Sequence, residues 1–411
     1  MNDTLLVLYD HGAASPGDIA LGLRELGSVV FAVPDSDHVR ELRPILARLG
    51  EVISLDDAST RQVSAVLTFS EPLLPAAAEL AGALGLPFHS PATTRMLTDK
   101  VAQRDRLRAR RVDHTRSAAI VSLDQWPAVR DHVRLPAVVK PLRGIGSRDT
   151  YLVPDDETAL DVLPAVLGAA PVVVEEFLRG KDCAPFGDYV SVESVCFPQG
   201  VRHLAITGKF PLVSPFRECG RFWPTTLSDE DSSAVLALTT GALRALEVRT
   251  GLTHTEIKLT DQGPRVIEVN GRLGGHTNLL AKQSCGVDLI TLAGRLALGA
   301  TSTDPLPSID GVHFQVSTPA PVEPFRLNAV HGAADVRRVN GVTGYRSYHR
   351  PGNWFAGSVQ TRYLDLLWGN AADHHTMIAT VDEAMAKLSF DFEFAGGLRR
   401  MSATTLRGRN A

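Results

Sequence analysis

The sequence predicts an α/β protein of more than one domain, and three observations carry this. Its 411 residues suffice for two or three domains and a large core. Apolar strand-like runs alternate with helix-like runs through roughly the first 90 residues, the pattern of a parallel sheet. Residues 253–259 and 265–272 both alternate polar and apolar around the turn cluster Asp261-Gln262-Gly263-Pro264, the pattern of a hairpin with one buried face.

Residues 4–10 read as a buried strand, 17–27 as an amphipathic helix, and 29–33 and 65–69 as further strands with helices between them. The loop His11-Gly12-Ala13-Ala14-Ser15-Pro16-Gly17 bears glycine without the G-x-G-x-x-G order, so no dinucleotide site is expected there. Leu86-Pro87-Phe88-His89-Ser90-Pro91 reads as a domain edge. The next helix holds Thr98-Asp99-Lys100 and then a dense Arg run to Arg111. No aromatics interleave with it, so it reads as a solvated helix face rather than a nucleic-acid surface.

A strand over 135–141 ends at Lys140. Leu142-Arg143-Gly144-Ile145-Gly146-Ser147-Arg148-Asp149 follows, then a strand over 150–153. Such a turn lets backbone N–H groups approach phosphates while the Lys supplies a point charge. An ordinary hairpin explains it equally well, and it is not a P-loop. Residues 171–178 read as an apolar strand turning acidic at Glu175 and Glu176. Residues 188–195 alternate as a half-buried strand, and 201–207 form its partner, carrying His203 and leading into Lys209. Phe210, Phe216, Phe222 and Trp223 are either core or an apolar pocket around the irregular loop 215–220. After the hairpin, 273–278 open a helix through about 298, whose first N–H groups could hold an anion. A Pro-rich linker beyond 300 leads to a smaller α/β segment, with a strand over 312–317, turns over 340–353 and a last helix near 381–388. The last few residues read as disordered.

The hairpin can set Glu256 directly opposite Glu268, with Asn270 on the same face as Glu268. Facing carboxylates repel and destabilise a ladder. A hard divalent cation removes that penalty, and oxygen ligands suit Mg²⁺, above all where phosphates complete its shell. Arg272, two residues on, can meet a phosphoryl group or carboxylate bidentately. The competing reading is an exposed hairpin with solvated acids.

Composition is that of a soluble globular protein: a net charge of −4 gives no electrostatic case for nucleic acid or an anionic membrane. No apolar run is long enough to span a bilayer and no basic leader is apparent. The four cysteines include no Cys-x-x-Cys pair, so reduced thiols and a cytoplasmic protein are expected. Only seven of the 42 basic residues are Lys, which draws notice to Lys100, Lys140 and Lys258.

These pieces occur in the order of the ATP-grasp superfamily, and they most resemble its carboxylate–amine ligases, in particular the dipeptide-forming L-amino acid ligase group. The resemblance rests on Lys100; Val-Val-Lys140-Pro with Gly144-Ile-Gly146-Ser147; Val-Glu175-Glu176-Phe177-Leu178; Ser191-Val-Glu193-Ser; His254-Thr-Glu256; and Glu268-Val-Asn270-Gly-Arg272-Leu-Gly-Gly275. It implies an α/β ATP-grasp fold: an N-terminal Rossmann-like pre-ATP-grasp domain over 1–92, an ATP-grasp domain over 93–300 and a C-terminal α+β lid over 301–411. The ATP lobe would cover about 110–195 and the catalytic lobe about 196–300.

The resemblance further implies that Lys100 and Lys140 bind ATP phosphates under the Gly144, Gly146 and Ser147 loop, and that the backbone of 175–178 reads adenine. Glu193 and Lys209 fall in the same nucleotide site. Glu256, Glu268 and Asn270 would hold Mg²⁺, usually two ions, with Mn²⁺ able to substitute. Arg272 would lie at the reacting centre, with His254, His276 or Glu218 placed to orient or deprotonate an amine. For each His taken singly, a satisfied structural role is the stronger expectation. The ribose acid stays open between Asp182 and Asp188. The implied reaction joins a small-molecule carboxylate and an amine through an acyl phosphate. Rival readings are a bicarbonate-using or purine-type ATP-grasp enzyme, or a catalytically inactive nucleotide-binding protein. A homodimer is a family-level expectation. The chain departs from the family pattern at Gly271 (usually Pro), at His276, where an acid is common, and at Cys219 and Arg221. These departures bear on substrate identity.

Overall fold

The computed structural model describes residues 3–168 and 170–408. Strands Thr4–Leu8, Ser28–Val33, Glu51–Ser54 and Ala65–Thr68 form a parallel sheet, with the first strand between the second and the fourth. Apart from the edge strand Glu51–Ser54, these strands are near-continuous apolar runs, as expected where helices cover both faces. The sheet packs through Leu5, Val7 and Phe31 onto the distant helices Thr277–Cys285 and Leu289–Ala297. Just beyond the last parallel strand, Glu71 reaches Arg272, two residues past the hairpin.

An antiparallel sheet of Ser117–Ile120, Val172–Glu176, Ala137–Pro141 and Tyr151–Val153 makes a second unit. Helices Trp126–Val133 and Asp156–Leu167 supply Trp126, Val129 and Leu163 to its core. The largest sheet has eight antiparallel strands. Its order is Gly263–Asn270, Gly251–Thr260, Tyr189–Phe197, Gly200–Lys209, Gly220–Trp223, Val312–Val316, Asp365–Ala371 and Val342–Ser347. The hairpin therefore lies at one edge, and strands from beyond residue 300 lie at the other. A last four-stranded sheet joins Trp354–Phe355, Phe325–His331, Ser389–Phe394 and Gly397–Ser402.

Several expectations are corrected. The helix from 273–278 to about 298 is two helices, because Gly286 sits at φ +72° and ends the first. The turn-rich stretch 340–353 contains the strand Val342–Ser347. The helix expected near 381–388 starts earlier, as His374–Lys387, and the short helix Ala403–Leu406 follows it. Phe210, Phe222 and Trp223 are fully buried core, while Phe216 is partly buried near Phe177. The four cysteines are unpaired. Of the terminal stretch expected to be disordered, 409–411 lie outside the described residues. Among the described residues, no helix is long and apolar enough to cross a membrane.

Candidate active site

The hairpin register sets Glu256 opposite Glu268 and His254 opposite Asn270. The neighbouring strand sets Ser191 opposite Glu256 and Glu193 opposite His254. Two rows thus cross one face of the sheet: Ser191, Glu256 and Glu268, and beside it Glu193, His254 and Asn270. A bulge follows Glu256, since Ile257 pairs with Val266 and leaves Ile267 unmatched.

The strand Gly263–Asn270 is a sheet edge, and the helix Lys100–Ala109 covers it. Asp99 starts that helix by accepting from the N–H groups of Val101 and Ala102. Lys100, Gln103, Arg104 and Leu107 are its buried residues, the i, i+3, i+4, i+7 stripe of one face. Gln103 brackets Val269 by donating to its carbonyl at 3.0 Å and accepting from its N–H at 2.8 Å. Arg104 donates to the carbonyls of Val266 and of the bulged Ile267 at 2.5 and 2.7 Å. One turn earlier on the same face, Lys100 Nζ lies 2.9 Å from Glu268 Oε1 and donates to the Gly144 carbonyl at 3.3 Å. Burial works against the Lys100 ammonium, but Glu268 and Glu71 outweigh it and raise its pKa.

The Arg run thus departs from a solvated face at Arg104, which is only 4% exposed. Its guanidinium meets Glu175 bidentately at 2.9 and 3.1 Å. Lys140 Nζ approaches the same carboxylate at 2.8 Å. Burial opposes ionisation of Glu175, but Arg104 and Lys140 hold its carboxyl well below the usual range. Glu175 therefore positions Lys140, and its own side chain is enclosed. Glu176 is held by Arg116 and Arg265. The N–H groups of Glu176 and Phe177 donate to the carbonyls of Arg116 and Pro136. Asp182 is exposed and accepts from the Ala184 N–H, whereas Asp188 pairs with Lys258 at 2.7 Å.

Glu193 is 2% exposed and accepts from Ser191 Oγ, Thr207 Oγ1 and, at 2.8 Å, His254 Nδ1. Any role of Glu193 toward a ligand runs through His254, whose Nε2 lies 3.4 Å from Glu256. Burial lowers the His254 pKa, but the carboxylates of Glu193 and Glu256 outweigh it and raise it to about 9. A Cβ on Gly274 would lie 2.4 Å from His254 Nδ1, so glycine there leaves room for the ring. Lys209 and Arg221 flank Glu218 at 2.7 and 3.1 Å. Burial disfavours that carboxylate, but the two cations bring its pKa down to about 2. His276, at φ +60°, lies 3.5 Å from Tyr348 OH; burial first, then Arg221 and Arg346, lower its pKa to about 3.

Two partners come from far along the chain. Glu71, at the end of the parallel sheet and 5% exposed, holds Arg272 at 2.6 Å. Arg272 also reaches Asn270 Oδ1 at 3.4 Å. His89 Nε2 lies 2.8 Å from the Gly271 carbonyl, and a Cβ at Gly271 would meet Leu97 Cδ1 at 2.6 Å.

Chemically, this face offers two carboxylates and an amide oxygen beside two lysines and an arginine. Among the described residues no three His, Cys, Asp or Glu side chains form a metal cluster. An ion here would rest on Glu256, Glu268 and Asn270 and draw its remaining ligands from a substrate, the habit of Mg²⁺. The donor set fits in kind, since all are hard oxygens; in this structure Lys100 and His254 counter the facing acids.

The chain is similar to known proteins over much of its length. The sequence pattern of the ATP-grasp domain matches residues 99–276. Alanine–anticapsin ligase of Bacillus subtilis strain 168 is 26% identical over 289 residues, covering 64% of this chain and 60% of the relative. The chain thus spans under two thirds of that relative's length. L-amino acid ligase from Bacillus licheniformis superposes with a TM-score of 0.78 at 20% identity, over 95% of this chain and 98% of that one. The carboxyaminoimidazole ribonucleotide synthase of Aspergillus clavatus, solved with ATP, gives a TM-score of 0.71 at 16% identity, over 93% and 97%. Residues 99–276 are an ATP-grasp domain, and the chain as a whole takes the ATP-grasp fold.

Proposed function

We propose that this protein is an ATP-dependent, ADP-forming carboxylate–amine ligase, with an amino acid as one or both substrates. The observation that carries this reading is the pairing of Glu256 with Glu268, flanked by Asn270, Arg272 and Lys100. Similarity to alanine–anticapsin ligase supports the substrate class.

In the proposed reaction a donor carboxylate oxygen attacks the ATP γ-phosphorus and the bond to ADP breaks, giving an acyl phosphate. The amine nitrogen then attacks the acyl carbon, phosphate leaves and the nitrogen loses a proton. Lys100 and Lys140 neutralise phosphate charge, each oriented by its own carboxylate. Arg272 faces the transferring group, with Glu71 fixing its fork. Little covalent work is left for the protein, so positioning and electrostatics supply the rate. Mg²⁺ on Glu256, Glu268 and Asn270 would supply Lewis-acid stabilisation of phosphoryl charge. Glu218, pinned by two cations, orients rather than deprotonates. His276 is the neutral group near the acceptor side. Leu178 reads adenine through its backbone, since the two preceding N–H groups are already used, and Asp188 with Lys258 meets the ribose.

The same reading includes two Mg²⁺ ions replaceable by Mn²⁺, a homodimer, a cytoplasmic location and the division 1–92, 93–300 and 301–411. The test is ADP and phosphate release with Mg²⁺–ATP against pairs of amino acids and small carboxylic acids, with product masses. Pair-dependent release plus the condensed mass supports the ligase. Release that requires bicarbonate instead supports a carboxylase, and ATP binding without turnover supports an inactive nucleotide-binding protein.

A further inference from the structure

The segment 358–364 has no part in the chemistry above, yet it touches both halves of the site. Its root is fixed to the large sheet. The Leu364 N–H donates to the Thr318 carbonyl at 2.9 Å, and the Ala320 N–H donates to the Arg362 carbonyl at 2.8 Å. Its tip lies on the glycine loop: the Thr361 N–H donates to the Gly146 carbonyl and the Asp149 N–H to the Val359 carbonyl, both at 2.7 Å. These bonds grip the loop where Gly146, Ser147 and Asp149 take positive φ of 63, 54 and 50°. Lys100 holds the same loop from below through Gly144. The third contact reaches the other half of the site, where Thr361 Oγ1 accepts from the Glu218 N–H at 3.2 Å. Glu218 is the carboxylate clamped by Lys209 and Arg221, and its charge acts on Glu256. The neighbouring Tyr363 ring lies 5.8 Å from that of His276.

We infer that 358–364 is a strap that closes the glycine loop over the nucleotide and that Thr361 is the positioning residue coupling this closure to the Glu218 side of the site. One residue holds the phosphate loop through its N–H and the Glu218 turn through its hydroxyl. Closure and assembly of the acceptor side are then a single event. This rests on the ligase reading, where the coupling has a purpose. An acyl phosphate exposed before the amine is aligned meets water: the water oxygen attacks the acyl carbon, the bond to phosphate breaks, and carboxylate, phosphate and a proton result. Excluding water until the acceptor is in place prevents this loss.

The experiment compares Thr361→Val and Thr361→Ser for amide formed per ADP released and for KM of the amine. Val keeps the β-branched shape and the N–H but loses the oxygen. The strap predicts ADP release within about threefold of wild type, a fall of at least about fivefold in amide per ADP, a raised amine KM, and recovery in Thr361→Ser. A wild-type amide-to-ADP ratio in Thr361→Val overturns it. Hydrogen exchange of the Thr361 and Asp149 amides, with and without Mg²⁺ and a non-hydrolysable ATP analogue, needs no turnover and separates this inference from the ligase reading. Protection on nucleotide binding supports the strap even if no substrate pair reacts. Free-loop exchange with the analogue bound overturns it even if the ligase is active.

Discussion

Replacing Arg104 with Met tests how the nucleotide side of the site is held together. The guanidinium is nearly enclosed, meets both oxygens of Glu175, and satisfies the carbonyls of Val266 and Ile267. Removing one partner of a buried ion pair leaves the other charge uncompensated, at about 3–5 kcal/mol. Lys140 still serves Glu175 in the variant, which places the expected loss near about 3 kcal/mol, the lower end of that range. The assay is a urea-denaturation cycle of Arg104→Met, Glu175→Gln and the double variant. With both charges gone the second loss is smaller than the first, so the two changes couple by about 2 kcal/mol, within the range for residues sharing a network. Lys140, then alone with Glu175, is also drawn toward it, so the ATP KM of Arg104→Met rises. A midpoint change worth under about 0.5 kcal/mol, the usual effect of a surface change, would refute the reasoning.

Three further outcomes follow from the same geometry. Glu268→Gln removes a carboxylate of the proposed Mg²⁺ site and the Lys100 partner, and steady-state ADP release falls by ~10²-fold or more, the scale of losing a preorganised electrostatic element; wild-type turnover would exclude the metal role. Asp113 is opposed by burial, but Arg104, Arg265 and Thr115 bring its pKa to about 2, below its ordinary 3.8. Its contribution is therefore present above pH 4 and is lost as pH falls toward 2, so Asp113→Asn flattens the fall of the denaturation midpoint across that window. Gly274→Ala drives a Cβ against His254 Nδ1 and Thr277 Oγ1, at 2.4 and 2.7 Å before relaxation; it lowers kcat and costs about 1–3 kcal/mol of stability by overpacking, measured by thermal denaturation.

The hairpin was legible because period-2 alternation and a tight turn fix register, and register decides which side chains face each other. Those two facts bring Glu256 and Glu268 close, but counting from the turn sets Glu256 opposite Ile267; the bulge after Glu256 shifts the pairing by one residue and brings Glu268 to face it. The buried role of Arg104 was hidden by composition, since a dense Arg run looks like a solvent face. Its signal lay in spacing: Lys100, Gln103, Arg104 and Leu107 repeat as a core stripe would. Glu71 and Thr361 carried no local signal at all. The first meets Arg272 across 201 positions and the second meets Glu218 across 143, and such contacts are set by how units pack. The strand Val342–Ser347 was lost among turn residues, because its pairing with Asp365–Ala371 sustains it rather than its own alternation.

The central claim is that a donor carboxylate attacks the ATP γ-phosphate, and oxygen transfer tests it most directly. With the carboxylate of the reactive donor doubly labelled with ¹⁸O, the account predicts one labelled oxygen in inorganic phosphate for each amide formed, and none in ADP. Phosphate free of label, or label recovered in AMP, would contradict it.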